Sequence, residues 1–181
     1  MSQKLEGKRV AFLFTDGVEQ VELQEPLEAI RRAGADTSLV SLKSGEVQAF
    51  NHLTPADRIE VDLTAAEVDA GEFDALVLPG GVANPDQLRE SPAAVRFVKG
   101  FFDQDKPVGV ICHGPWTLIE AGIVGGRTLT SWPSLKTDLA NAGATWVDEE
   151  VHVDGKLVSS RKPDDIPSFS QAVVEAISNA N

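Results

Sequence analysis

Apolar residues fall along this chain in short unbroken runs, separated by longer stretches where they recur every three or four positions. The runs are Arg9 to Phe14 (RVAFLF), Ala75 to Gly81 (ALVLPGG) and Pro107 to Cys112 (PVGVIC), with a shorter one from Asp36 to Leu42 (DTSLVSL). Apolar on both faces and closed by turn residues, they predict parallel strands buried between helix layers. The stretches between them predict helices. Val21 to Gly34 (VELQEPLEAIRRAG) stops at a glycine, and its Pro26 marks either a kink or the true first turn. Ser91 to Gln104 (SPAAVRFVKGFFDQ) opens with Ser91 as N-cap and Pro92 as first helical residue. Three more run over Gly114 to Gly122, Trp132 to Gly143 and Pro163 to Ala180. Thr145 to Ser160 (TWVDEEVHVDGKLVSS) alternates around an Asp154-Gly155 turn and predicts an antiparallel hairpin.

Strand alternating with helix implies a three-layer α/β/α sandwich with a mainly parallel sheet and one small antiparallel hairpin, and the 181 residues fit a single domain over 1–181. Ligands of such sheets bind outside the carboxyl ends of the strands. Three loops meet there: TDGVEQ after the first run, PGGVANPD after the second and CHGP after the third.

Charge narrows the partners. Sixteen basic residues against 28 acidic ones leave a net −12, which argues against nucleic acid and anionic membrane. The N-terminal apolar run is too short for a signal-peptide core, and no stretch has the length of a membrane span, so a cytoplasmic location is expected. The three histidines are widely spaced and form no metal-binding pattern, so neither a metal nor another cofactor is expected.

The single cysteine, Cys112, stands where a buried strand gives way to a helix, with Gly109 before it and Gly114 after it. A lone cysteine is commonly a small buried hydrophobe. Here the small neighbours permit the sharp strand-to-helix turn of a nucleophile elbow, and helix N-terminal amides favour the thiolate. His113 is a candidate base, although adjacent side chains at a sharp turn can diverge. A carboxyl from the first loop, placed near the sulfur in half-apolar surroundings, would keep its proton and donate to sulfur. Glu19 is a candidate for that place; Asp16, Glu22 and Glu25 are equally acidic, and spacing alone does not choose. The Gly80-Gly81 pair would bring backbone amides close to a ligand, as an oxyanion hole requires.

Taken together, FDALVLPGG, KPVGVICHGPWTLIEAG, the segment from Gly125 to Asp165 and DGVEQVEL resemble the ThiJ/PfpI superfamily, in its PfpI-like branch of intracellular-protease and general stress proteins. The resemblance spans nearly the whole chain. It implies a flavodoxin-like, class I glutamine amidotransferase-like domain that forms a homodimer or larger ring. It implies Cys112 as nucleophile, Glu19 as its protonated partner, and amides of Gly80, Gly81 and His113 as donors. His113 would be the base, oriented by an acid of a neighbouring subunit that maps to Asp86. That mapping places one extra residue, Asn84, in the loop, and Asp is shorter than the usual Glu. Trp132 matches a pocket position that can be aromatic. The implied activities are glyoxalase, deglycase and peptidase or amidase chemistry on small aldehydes, peptides or protein adducts. The alternative is a redox-responsive stress protein whose Cys112 is oxidised to sulfenic and sulfinic acid with little turnover. In a pure scaffold, by contrast, Cys112 would be incidental.

Overall fold

The computed structural model describes residues 3–180. In chain order the strands and α-helices are β1 (Arg9–Leu13), β2 (Val18–Glu19), α1 (Gln20–Arg32), β3 (Asp36–Ser41), β4 (Glu46–Asn51), β5 (Thr54–Glu60), β6 (Leu63–Thr64) and β7 (Ala75–Leu78). There follow α2 (Ala83–Glu90), α3 (Pro92–Asp103), β8 (Val108–Ile111), α4 (Pro115–Glu120), β9 (Thr128–Leu129), α5 (Lys136–Asn141), β10 (Thr145–Trp146), β11 (Val151–Asp154), β12 (Leu157–Ser160) and α6 (Ile166–Asn179).

The four apolar runs form β1, β3, β7 and β8, all parallel, in a seven-stranded sheet of order β11-β12-β8-β7-β1-β3-β6. Its five main parallel strands follow the 2-1-3-4-5 order of flavodoxin-like folds, with the reversal between β1 and β7. Pleating sorts their side chains. Val10, Phe12 and Val77 pack with Leu23, Leu27 and Ile30 of α1 and Phe169, Val173 and Ile177 of α6. Ala11, Leu13, Leu76 and Leu78 face the other way, against Leu88 of α2, Phe97 and Phe101 of α3, Leu118 of α4 and Leu139 of α5. Two helix layers therefore cover one sheet, as the unbroken apolar runs require.

The α3 start is as expected: Ser91 Oγ accepts the Ala94 N–H at 3.2 Å and Pro92 opens the helix. Three expectations change. α1 is continuous across Pro26, which lies in its interior and marks no start. The PGGVANPD stretch is helical from Ala83 onward, so Asn84 is no loop insertion. The antiparallel hairpin begins only at Val151; Thr145–Trp146 pairs in parallel with Thr128–Leu129. The hairpin also does not stand apart, because β12 is wholly buried and lies parallel to β8 within the main sheet.

A second hairpin, β4–β5, carries polar residues on its outward face and turns through His52 and Leu53. Val47 and Ala49 of β4 reach into the core, and β2 pairs with β4 through Val18↔Ala49 and Glu19↔Phe50. The hairpin tip thereby stands over the carboxyl ends of β1 and β7.

Candidate active site

At the end of β8 the chain makes the predicted elbow. Cys112 has φ 63°, a left-handed conformation that costs an L-residue roughly 1–2 kcal/mol. Its surroundings hold it there. The Cys112 N–H donates to Ser160 O at 3.1 Å, the Trp132 N–H donates to Cys112 O at 2.9 Å, and the Gly114 N–H closes the turn on Ile111 O at 3.0 Å. The small neighbours are required by packing: a Cβ on Gly109 would meet Val173 Cγ2 at 2.6 Å, and one on Gly114 would meet Val110 Cγ2 at 2.7 Å. The thiol is buried, only 6% exposed.

The carboxyl that meets this thiol belongs to Glu22, whereas Glu19 points elsewhere. α1 begins at Gln20, which puts Glu22 in phase with Pro26 and Ile30 on the buried stripe of the helix. Glu22 is fully buried; its Oε1 accepts the Gly80 N–H at 2.9 Å, and its carboxyl lies beside Cys112 across the space that a Cβ on Gly80 would fill. Oε2 receives no N–H or O–H among the described residues. Burial, aided by the nearby Glu19 charge, pushes the Glu22 carboxyl up to about 8, so it keeps its proton at neutral pH. Glu19 instead accepts the His52 N–H, with Oε1 and Oε2 at 3.2 and 3.1 Å, and ties down the β4–β5 tip.

The glycine pair is divided in its duties. Gly80 spends its N–H on Glu22, so it is not a free oxyanion donor. Its missing Cβ is what lets the thiol and carboxyl meet, since a Cβ there would lie 2.6 Å from both Cys112 Cβ and Glu22 Oε1. Gly81, at φ 80°, turns its N–H toward the Cys112 sulfur, as does the amide of His113. A Cβ on Gly81 would also overlap Gly17 O. Burial pushes the Cys112 thiol up, and a charged Glu22 pushes it further; the two amides oppose this. The low thiol pKa expected from a helix N-terminus is therefore not found: α4 has only six residues, and desolvation outweighs it. With Glu22 protonated, its repulsion of a thiolate is removed.

His113 does reach the sulfur: Nδ1 lies 3.1 Å from Sγ. Burial lowers its pKa, which keeps the imidazole neutral and basic near pH 7. Its ring is held by aromatic faces, stacked on Trp132 at 5.8 Å and edge-on to Trp116 at 5.2 Å. Among the described residues no carboxylate is hydrogen-bonded to it. Asp86 sits exposed in the first turn of α2, on the wall of the same cleft. Asn84, behind it, is fully buried and clamps three segments: Oδ1 accepts the Thr15 N–H at 2.7 Å, and Nδ2 donates to Pro79 O and Gly80 O at 3.1 and 2.9 Å.

Glu22, Gly81, Cys112 and His113 floor a cleft of about 660 Å³, with Glu19, Asp86 and Trp132 on its wall. It opens at the β1/β7 strand reversal, where this fold class places ligands. Among the described residues no cluster of three His, Cys, Asp or Glu is arranged to hold a metal ion, and no helix is long and apolar enough to cross a membrane.

Residues 8–176 match the DJ-1/PfpI family. The chain belongs to that family. Among its DJ-1/PfpI relatives, a Pyrococcus abyssi protein named a deglycase is 43% identical over 93% of this chain and 99% of its own. The Bacillus subtilis protein named putative cysteine protease YraA is 38% identical over 91% of this chain and 95% of its own. A ThiJ/PfpI domain protein of Brachyspira murdochii superposes with a TM-score of 0.89 at 24% identity, covering 97% of this chain and 99% of the other, and shares the fold.

Proposed function

We propose that this DJ-1/PfpI protein is a stress-protection enzyme using Cys112 as nucleophile on small reactive aldehydes, or on their adducts with proteins. One observation carries the reading: the thiol at a strained elbow sits between a neutral base, His113 Nδ1 at 3.1 Å, and a buried carboxyl that holds a proton, Glu22. The deglycase and cysteine-protease names of the relatives are consistent with it.

With an α-oxoaldehyde, the steps balance as follows. His113 takes the thiol proton as sulfur adds to the aldehyde carbon. The new oxyanion receives that proton, giving a hemithioacetal. Glu22 keeps its own proton throughout and donates toward sulfur, so thiolate character develops without a second buried negative charge. His113 then removes the hydrogen on the former aldehyde carbon and returns it to the neighbouring carbon, while the hemithioacetal hydroxyl proton passes to the neighbouring oxygen, so that the first carbon becomes the thioester carbonyl and the second carries the hydroxyl. The resulting 2-hydroxy thioester is hydrolysed by water, which frees the thiol and a 2-hydroxy acid. The Gly81 and His113 amides converge on the reacting atoms and suit the developing charge. Peptidase or amidase chemistry would use the same groups on an amide carbonyl.

The deciding test is methylglyoxal consumption with chiral lactate detection in thiol-free buffer, comparing native protein with Cys112→Ser. Many turnovers, lost in the serine variant, are expected; consumption that stops near one equivalent per chain would sink the enzyme reading.

A second reading has its own observation. Glu22 Oε2 is buried without a donor beside a thiol that two further N–H groups address. A protonated Glu22 would hydrogen-bond a sulfinate formed by peroxide, and the chain has no second cysteine to resolve a sulfenate. Mass spectrometry after peroxide titration checks it: two oxygens added at Cys112 support it, and no addition refutes it.

A further inference from the structure

Resting on the α-oxoaldehyde reading above, the geometry points to a specificity that the reacting groups do not themselves set: we infer that the site selects α-oxoaldehydes carrying an apolar, aryl-sized substituent over glyoxal and methylglyoxal. Above Cys112, Glu22 and His113 the cleft changes character. Its upper wall is Phe50, Leu53, Val82, Ala83, Trp132 and Pro163. Leu53, at the β4–β5 tip, is 94% exposed; Val82, at the start of α2, is 57% exposed; Trp132 is 38% exposed. These are three of the four large apolar residues that the described chain leaves in water, and all three stand on this one rim. Scattered apolar exposure needs no explanation, but exposed apolar side chains gathered on the wall of one reactive cleft mark a surface that a ligand covers.

Charge adds to the selection. The wall carries Glu19 and Asp86, and no lysine or arginine lines the cleft among the described residues. A negatively charged substituent would thus meet repulsion with no lysine or arginine to pair it. With the aldehyde carbon at Sγ, the substituent would extend into the part of the cleft that Trp132, Leu53 and Val82 line. A methyl group leaves most of that wall in water; a phenyl ring covers it. The cleft of about 660 Å³ has room for such a molecule.

The hairpin makes the rim a built feature. Leu53 is presented by a two-residue turn, with His52 at φ 58°, and Glu19 holds that turn through the His52 N–H. The exposed position of Leu53 is therefore held in place, which a chance surface leucine would not need.

The test measures kcat/KM for glyoxal, methylglyoxal and phenylglyoxal on native protein and on the Leu53→Ser/Val82→Ser double variant. Both positions are solvent-exposed, so the fold survives the change, and circular dichroism checks that. Native protein should favour phenylglyoxal over methylglyoxal at least tenfold, and the double variant should bring that ratio to within about threefold of unity. A ratio that the double variant leaves intact, with methylglyoxal still turned over, overturns the inference and leaves the enzyme reading standing. So does an unchanged ratio accompanied by a shift in sedimentation, which would make the rim a contact between copies of the chain. Loss of all three activities in the native protein overturns both.

Discussion

Glu19 and Glu22 stand three residues apart, yet they belong to two different regions of the cleft. Glu22 is part of its floor, where every atom is specified: Gly80 has no Cβ, Cys112 is held left-handed by two backbone hydrogen bonds, and Asn84 clamps the loops from behind. Glu19 belongs to the rim, where the β4–β5 tip stands in solvent and is tied by a carboxylate accepting one N–H. Desolvation dominates the floor and raises Glu22 to about 8. The rim has an exposed histidine, leucine and valine. The floor is built to move protons, and the rim to meet what arrives. Acidity did not assign these carboxylates their roles; the starting point of α1 did.

Changes to the floor should do the most damage. Cys112→Ser should lower aldehyde turnover by about a thousandfold or more without loss of fold, because the serine hydroxyl is a far weaker nucleophile. Gly80→Ala should come next. Its methyl would press on Cys112 Cβ and Glu22 Oε1 at 2.6 Å, costing about 1–3 kcal/mol of stability by chemical denaturation and at least tenfold in turnover.

Glu22→Gln separates floor from rim by pH. Between the ordinary carboxyl value of 4.5 and about 8, the folded chain holds a proton that the unfolded chain has released. Native stability therefore falls as pH rises through that window, by at most about 1.4 kcal/mol per unit. The glutamine variant should lose that slope and titrate its thiol at a different pH. Glu19→Gln should have the smallest effect: burial still holds the Glu22 proton, so the slope persists with its upper end moved down by the lost Glu19 charge, and turnover stays within about threefold of native. A shifted thiol titration in Glu19→Gln and none in Glu22→Gln would reverse the assignment of the two carboxylates.

Much of this arrangement could be read from the letters. The runs RVAFLF, ALVL and VGVI are apolar on both faces, so they could only be covered strands, and Ser91-Pro92 announces α3. Small residues around Cys112 announced the elbow. What stayed hidden depended on phase and on packing between segments. Glu22 lies four residues before Pro26 and eight before Ile30, a carboxyl on an apolar stripe, and that spacing was the available signal. α2 was masked because Gly-Gly and Asn-Pro both read as turn signals, although Asn84 is a buried clamp. β4–β5 was missed because Val47 and Ala49 are its inward anchors amid outward polar residues, too few to stand out. Thiol acidity was misjudged from the helix start alone, since burial depth is a property of the packed molecule. Asp86 is seen here as a cleft-wall residue with no hydrogen bond to His113.

The way the β4–β5 hairpin is attached has a practical consequence. It is inserted in the crossover from β3 to β7 and meets β2 over just two residue pairs, while the reacting groups come from α1 and the β8–α4 turn. With Val47 and Ala49 retained as its root, the tip is a graftable cassette. Exchanging Asn51 to Pro55 between relatives should transplant substrate preference and leave the chemistry behind, which makes this short turn the natural place to diversify a library.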